Sequence, residues 1–112
     1  MASVAKNENK PTRYWISFDL GLTGDYSRFY EWLDAHDAEE CGSGTAAIMS
    51  KKSLDTVITE LREIFHDTPR GRVYLIAKLP DGKFGGKFVV GSRRKAPWAG
   101  FAVHSSDAVE YA

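Results

Sequence analysis

Asp19 closes the run Tyr14-Trp15-Ile16-Ser17-Phe18-Asp19. A carboxylate in that position can help hold a divalent cation, which neutralises charge developing on a phosphate. An aspartate at a strand end also caps turns readily. Asp19 by itself supplies one carboxylate per chain, so the second would have to come from another copy. Of Glu39 and Glu40 at most one can converge with it, because neighbours in a strand point to opposite faces. A second chemistry belongs to Arg93-Arg94-Lys95 with Trp98 close by. Three cations neutralise phosphates and an indole offers one base a stacking surface, which is a workable contact for RNA or DNA. A solvated loop with an anchoring tryptophan has the same composition. Other candidates fall away. His36 and His66 lie near expected helix ends, where the dipole accounts for them; His104 lies in the tail, and no spacing resembles a zinc site. Cys41 is the single cysteine, which excludes an internal disulfide and a cysteine-based zinc cluster. It has no evident base partner, and Ser92, Ser105 and Ser106 lack a nucleophile-elbow context. Gly42 and Gly44 lack the strand-to-helix setting of a phosphate loop. Gly85-Gly86 reads as relief of crowding inside a hairpin.

The elements that carry these residues follow from periodicity. Arg13 to Asp19 alternates, with Tyr14, Ile16 and Phe18 on one face and Trp15, Ser17 and Asp19 on the other, as a strand does. Asp25 to Asp37 reads as a helix whose buried stripe is Tyr26, Phe29, Tyr30 and Leu33, with Thr23 or Asp25 as cap. Trp32 lies off that stripe, either as an interface residue or, the commoner case, at a partly covered edge of the core. Ala38 to Met49 reads as extended chain with an interruption at Gly42-Ser43-Gly44, where glycine marks a bulge or a close approach. A second helix starts at Ser50 or Ser53, with the stripe Leu54, Val57, Ile58, Leu61, Ile64 and Phe65. Asp67 to Gly71 breaks it. Arg72 to Leu79 is a third strand, Pro80-Asp81-Gly82-Lys83 a turn, and Phe84 to Val90 a fourth strand. Gly91 to Trp98 leaves the sheet as a basic loop, and Phe101-Ala102-Val103 adds a short edge strand.

The chain has 112 residues, of which 43% are hydrophobic and 27% charged. One globular domain follows, with wholesale disorder excluded. Its expected span is 13–103, between a polar tail at 1–12 and a frayed end at 104–112. The start lacks the apolar stretch of a secretory signal and no run spans a membrane, so the expectation is a cytoplasmic protein with no membrane partner. The net charge is +0, which excludes a uniformly basic coat. The balance is local, however. Asp19 to Asp67 carries eleven acids and four bases, and Thr68 to Lys95 carries eight bases and one acid. These segments, at −7 and +7, either neutralise each other or mark surfaces for partners; the acidic 19–67 segment offers one for a protein.

The element order is β-α-β-α-β-β. Two single-stripe helices must cover one face of a sheet. The simplest solution is an α+β, ferredoxin-like sandwich with an antiparallel-rich sheet and both helices on one face. The other face carries Trp15, Tyr74 and Ile76 beside Ser17, Asp19 and Lys78. It is too apolar to be left wet, which points to self-pairing as a homodimer, with Trp15, Tyr74 and Ile76 as interface residues.

Ile16-Ser17-Phe18-Asp19-Leu20, Trp32-Leu33-Asp34-Ala35-His36, and the stretch from Ala38-Glu39-Glu40 through Gly44-Thr45-Ala46-Ala47-Ile48 resemble the small CRISPR-associated endonucleases. Their relatives, the virulence-associated D-type RNase toxins and the SinR-like proteins, share the likeness, which covers roughly Tyr14 to Val90. The resemblance implies a ferredoxin-like homodimer. It further implies two carboxylates placed like Asp19, one per protomer, holding Mg²⁺ or Mn²⁺ for phosphodiester cleavage. Where that family has a basic helix, this chain has Asp25, Glu31 and Asp34, and its Ser-Val-Phe strand signature is replaced by Gly44 to Ile48. The favoured expectation is therefore a small dimeric interaction module touching nucleic acid through Arg93, Arg94, Lys95 and Trp98. The alternative is a metal-dependent endoribonuclease or endonuclease with Asp19 as its catalytic and metal-binding residue.

Overall fold

The computed structural model describes residues 10–21, 26–68 and 70–102. Strict alternation builds β1 (Thr12–Asp19), with Tyr14 and Ile16 buried. Helix α1 (Ser27–Ala35) buries Phe29 and Leu33. Its expected beginning at Asp25 and the cap at Thr23 lie outside the described residues. Tyr26 takes the N-cap position, without a side-chain cap bond. Asp37 turns the chain out of the helix at φ 51°.

The stretch 38–49 is two strands, not one. β2 (Glu39–Gly42) and β3 (Thr45–Ser50) pair antiparallel as a hairpin. Gly42 and Gly44 have φ of 145° and 72°, and Phe18 N–H donates to Gly44 O at 2.8 Å. Only glycine reaches such angles without strain, so the small-residue run reverses the chain. Helix α2 (Leu54–Ile64) starts on Ser53, whose hydroxyl accepts from the Thr56 amide at 3.2 Å. Strands β4 (Arg72–Lys78) and β5 (Phe84–Val90) form a second hairpin. Its turn is closed by the Leu79 amide on Lys83 O at 2.7 Å. Phe101 and Ala102 form a turn and bend rather than an edge strand, with Phe101 N–H donating to Trp98 O at 3.1 Å. Glycine at 100, φ 86°, favours that local closure over extension. Val103, the expected tail at 104–112 and most of the one at 1–12 lie outside the described residues.

The sheet order is β2-β3-β1-β4-β5, with every neighbouring pair antiparallel. β3 therefore lies between β1 and β2, and β1 between β3 and β4, each gap bridged by a helix. This is the α+β, ferredoxin-like arrangement, with β5 added at one edge. Phe29 and Leu33 of α1 share one buried cluster with Val57, Ile58 and Leu61 of α2, and with Tyr14, Ile16, Val73 and Leu75 of the sheet. Both helices therefore lie on the same face. No helix among the described residues is long and apolar enough to cross a membrane.

Candidate nucleic-acid interface

Strand register decides which side chains share the other face. Trp15 pairs with Ile76, Ser17 with Tyr74 and Asp19 with Arg72. Phe84 pairs with Lys78, and Phe88 with Tyr74. The expected interface residues Trp15, Tyr74 and Ile76 are thus brought onto one face, all half-buried. Two aromatic pairs stand there. Tyr74 meets Phe88 edge-on at 4.8 Å, at the end of the face that holds Asp19. Trp15 meets Phe84 at 5.7 Å, tilted by 58°, at the opposite end. A Cβ at Gly86 would run into the Tyr74 ring, so glycine there does relieve crowding.

The Trp15–Phe84 end opens into a cleft of about 920 Å³. β1 begins there, β3 hands over to α2, and the β4–β5 turn closes the far wall. The cleft is lined by the cations Lys10, Arg13, Lys51, Lys52 and Lys78, by no carboxylate, and by the rings of Tyr14, Trp15 and Phe84. The Lys51–Lys52 corner is held firmly. Buried Tyr14 donates its hydroxyl to Lys52 O at 2.6 Å, and the Lys52 amide donates to Ser50 Oγ at 3.1 Å. Burial raises the Tyr14 pKa above its ordinary 10.0, which keeps the hydroxyl a donor. Lys52 Nζ turns away to Glu60 Oε1 at 2.9 Å and His36 Nε2 at 3.2 Å. That is the single ion pair among the described residues, so Lys10, Arg13, Lys51 and Lys78 have no carboxylate partner among them.

The expected basic loop lies elsewhere. β5 ends at Val90, opposite Val73, so the chain leaves the sheet at the far end from Phe84. Arg93, Arg94 and Lys95 are all exposed, and Trp98 is 73% exposed. They remain a separate basic segment that the fold does not bring to the cleft.

Asp19 is exposed, and its Oδ1 accepts the Gly21 amide at 3.1 Å, the turn-capping geometry. The hollow beside it offers Ser17, Tyr26, Tyr30 and Ser43 and, among the described residues, no second acid. Among the described residues no three His, Cys, Asp or Glu gather to hold a metal. Within them Asp19 is the one carboxylate there for Mg²⁺ or Mn²⁺. His36 Nδ1 contacts Trp32 O at 2.6 Å and His66 Nδ1 contacts Glu63 O at 2.9 Å, as helix-end residues do. Trp32 is half-buried and donates to Glu60 at 2.9 Å.

Reading by sequence missed Lys10, Arg13, Lys51 and Phe84 as one group. A signal existed in Lys51-Lys52, a dibasic pair inside an otherwise acidic stretch and next to a helix cap. Comparison with known proteins adds no assignment. No protein-family model, curated protein or solved structure matches the chain.

Proposed function

We propose that the chain is a nucleic-acid-binding module that grips the phosphate backbone through the cleft at the Trp15–Phe84 end. The observation that carries this reading is a concave site lined by Lys10, Arg13, Lys51 and Lys78 with no carboxylate, on a chain of net charge +0. Concentrating positive charge in one hollow favours a polyanion over a simple salt ion. Four phosphate contacts predict that log K falls against log salt with a slope of about −3 for a single strand. Fluorescence anisotropy of a labelled oligonucleotide across a salt series measures it. Lys51→Glu with Lys78→Glu flattens the slope and weakens binding at least roughly tenfold. An unchanged slope in that variant counts against the cleft.

A second reading is self-pairing through the Tyr74, Ile76 and Phe88 half of the sheet face. Register favours it: Trp15, Tyr74 and Ile76 stand half-buried together on that face. A two-fold axis along the central β1 would set this face of one copy against the same face of the other. It would also bring the two Asp19 residues toward each other, the arrangement that metal-dependent cleavage requires. Light scattering at micromolar concentration tests the pairing, with Ile76→Lys as control. A monomer mass removes this reading, and with it the paired carboxylates.

A further inference from the structure

We infer that the cleft takes a single strand of nucleic acid, one base of which lies against the Trp15–Phe84 pair while the lysines on either side hold its phosphates. This rests on the reading that the cleft grips a phosphate backbone, and adds to it what else is recognised.

The reason lies in Phe84. Phe84 is 63% exposed, although it opens an edge strand whose Val89 is buried in the core. Burying a phenyl ring is favourable, and this fold forgoes most of that gain. The ring leans on half-buried Trp15, which fixes its edge and leaves its outer surface free. Lys78 stands directly across the strand from it, and Arg13 flanks Trp15 on the same face two residues earlier. An exposed aromatic ring between cations suits a base with its phosphates. A simple polyanion would use the cations and leave the ring idle.

A duplex fits this surface poorly. Its bases stay stacked on one another and present no ring surface to Phe84. A free strand can lay one base on the ring, and sequence preference is then weak because every base has a π-face.

The test uses anisotropy with four labelled probes of equal length: a single-stranded RNA, a single-stranded DNA, the corresponding duplex, and a strand in which the central residues are abasic. The full chain and its Phe84→Ala, Phe84→Tyr and Lys51→Glu/Lys78→Glu variants are compared, with circular dichroism as a check on folding. The expected result is tighter binding of either single strand than of the duplex or the abasic strand. Phe84→Ala then weakens the intact strands roughly five- to 150-fold, the loss of one stacking contact, leaves the abasic strand unchanged, and Phe84→Tyr restores binding. Equal affinity for intact and abasic strands overturns the base contact while the phosphate-binding reading stands. Tighter binding of the duplex does the same. No binding of any probe overturns both. Loss of binding in Arg93→Glu/Arg94→Glu/Lys95→Glu, with the cleft variants intact, moves the site to the other end of the sheet and overturns both as well. Capture by phosphatidylserine vesicles without strand binding assigns the cleft to a membrane surface and also overturns the inference.

Discussion

Glu60 ties together three parts of the chain. Its Oε1 accepts from Trp32 Nε1 in α1 and from Lys52 Nζ beside the cleft, both at 2.9 Å. Burial pushes its pKa up, but the hydrogen bonds from Lys52 and Trp32 and the charges of Lys52 and His36 outweigh that, so it lies below the ordinary 4.5. A carboxylate depressed in the fold adds stability that is present above its unfolded pKa and lost as pH falls through its folded value. Thermal melts should therefore show the wild type losing stability as pH falls below about 4.5, while Glu60→Gln is flatter over the same window. At neutral pH the variant is less stable by at most about 1 kcal/mol, because both partners are partly exposed and solvent screens the pair. Parallel pH profiles would show that the network contributes nothing to folding. The pair has a second effect at this scale. By pairing Lys52 it leaves Lys51 as the cation of that corner without a carboxylate partner among the described residues.

At the scale of elements, the β2–β3 hairpin is where a local reading of the chain met its limit. Gly42-Ser43-Gly44 looks from sequence like a disturbance within one strand, since glycine serves bulges and turns alike. Both occur here, with a register shift between Glu40 and Gly42 followed by reversal at Gly44. The reversal depends on Gly44, whose φ is 72° and where an added Cβ would lie 2.8 Å from Phe18 O, a backbone atom of the central strand that cannot step aside. Gly44→Ala should cost roughly 1–3 kcal/mol through backbone strain, with the clash adding to it. Urea unfolding measures this, and a cost below about 0.5 kcal/mol would mean that the turn relaxes freely. By contrast, Leu54 to Phe65 was legible as α2, because its stripe repeats over three turns and needs no partner to be recognised. Sequence left its start open between Ser50 and Ser53, and the cap falls on Ser53.

For the whole molecule, net neutrality conceals separation of charge along the sheet. The acidic residues Glu39 and Glu40 mark the β2 edge, and the cations of the cleft gather at one end of β1, β3 and β4. Such a field steers a polyanion toward one end and away from the other edge. Glu39→Lys with Glu40→Lys should therefore raise affinity for a single strand roughly two- to tenfold at low salt, and the gain should fade as salt shortens the range of the field. A gain that persists in high salt would instead indicate direct contact at the edge. Alternation in β1 and β4 and the apolar stripes of both helices determined, from sequence alone, most of the residues that face the core and that Trp15, Tyr74 and Ile76 share the other face, because strand and helix periods are local properties of the chain; Tyr30, expected in the buried stripe of α1, is instead 54% exposed. The turn-capping alternative for Asp19 was legible for the same reason. The cleft was not. Lys10, Arg13, Lys51, Lys78 and Phe84 come from four separated segments, and only the sheet order β2-β3-β1-β4-β5 with its antiparallel registers sets them at one end. The same order sends Arg93 to Trp98 to the opposite end, although in sequence that segment is the nearest basic cluster to Phe84. Convergence of distant residues depends on strand order, and strand order is decided by how the whole core packs.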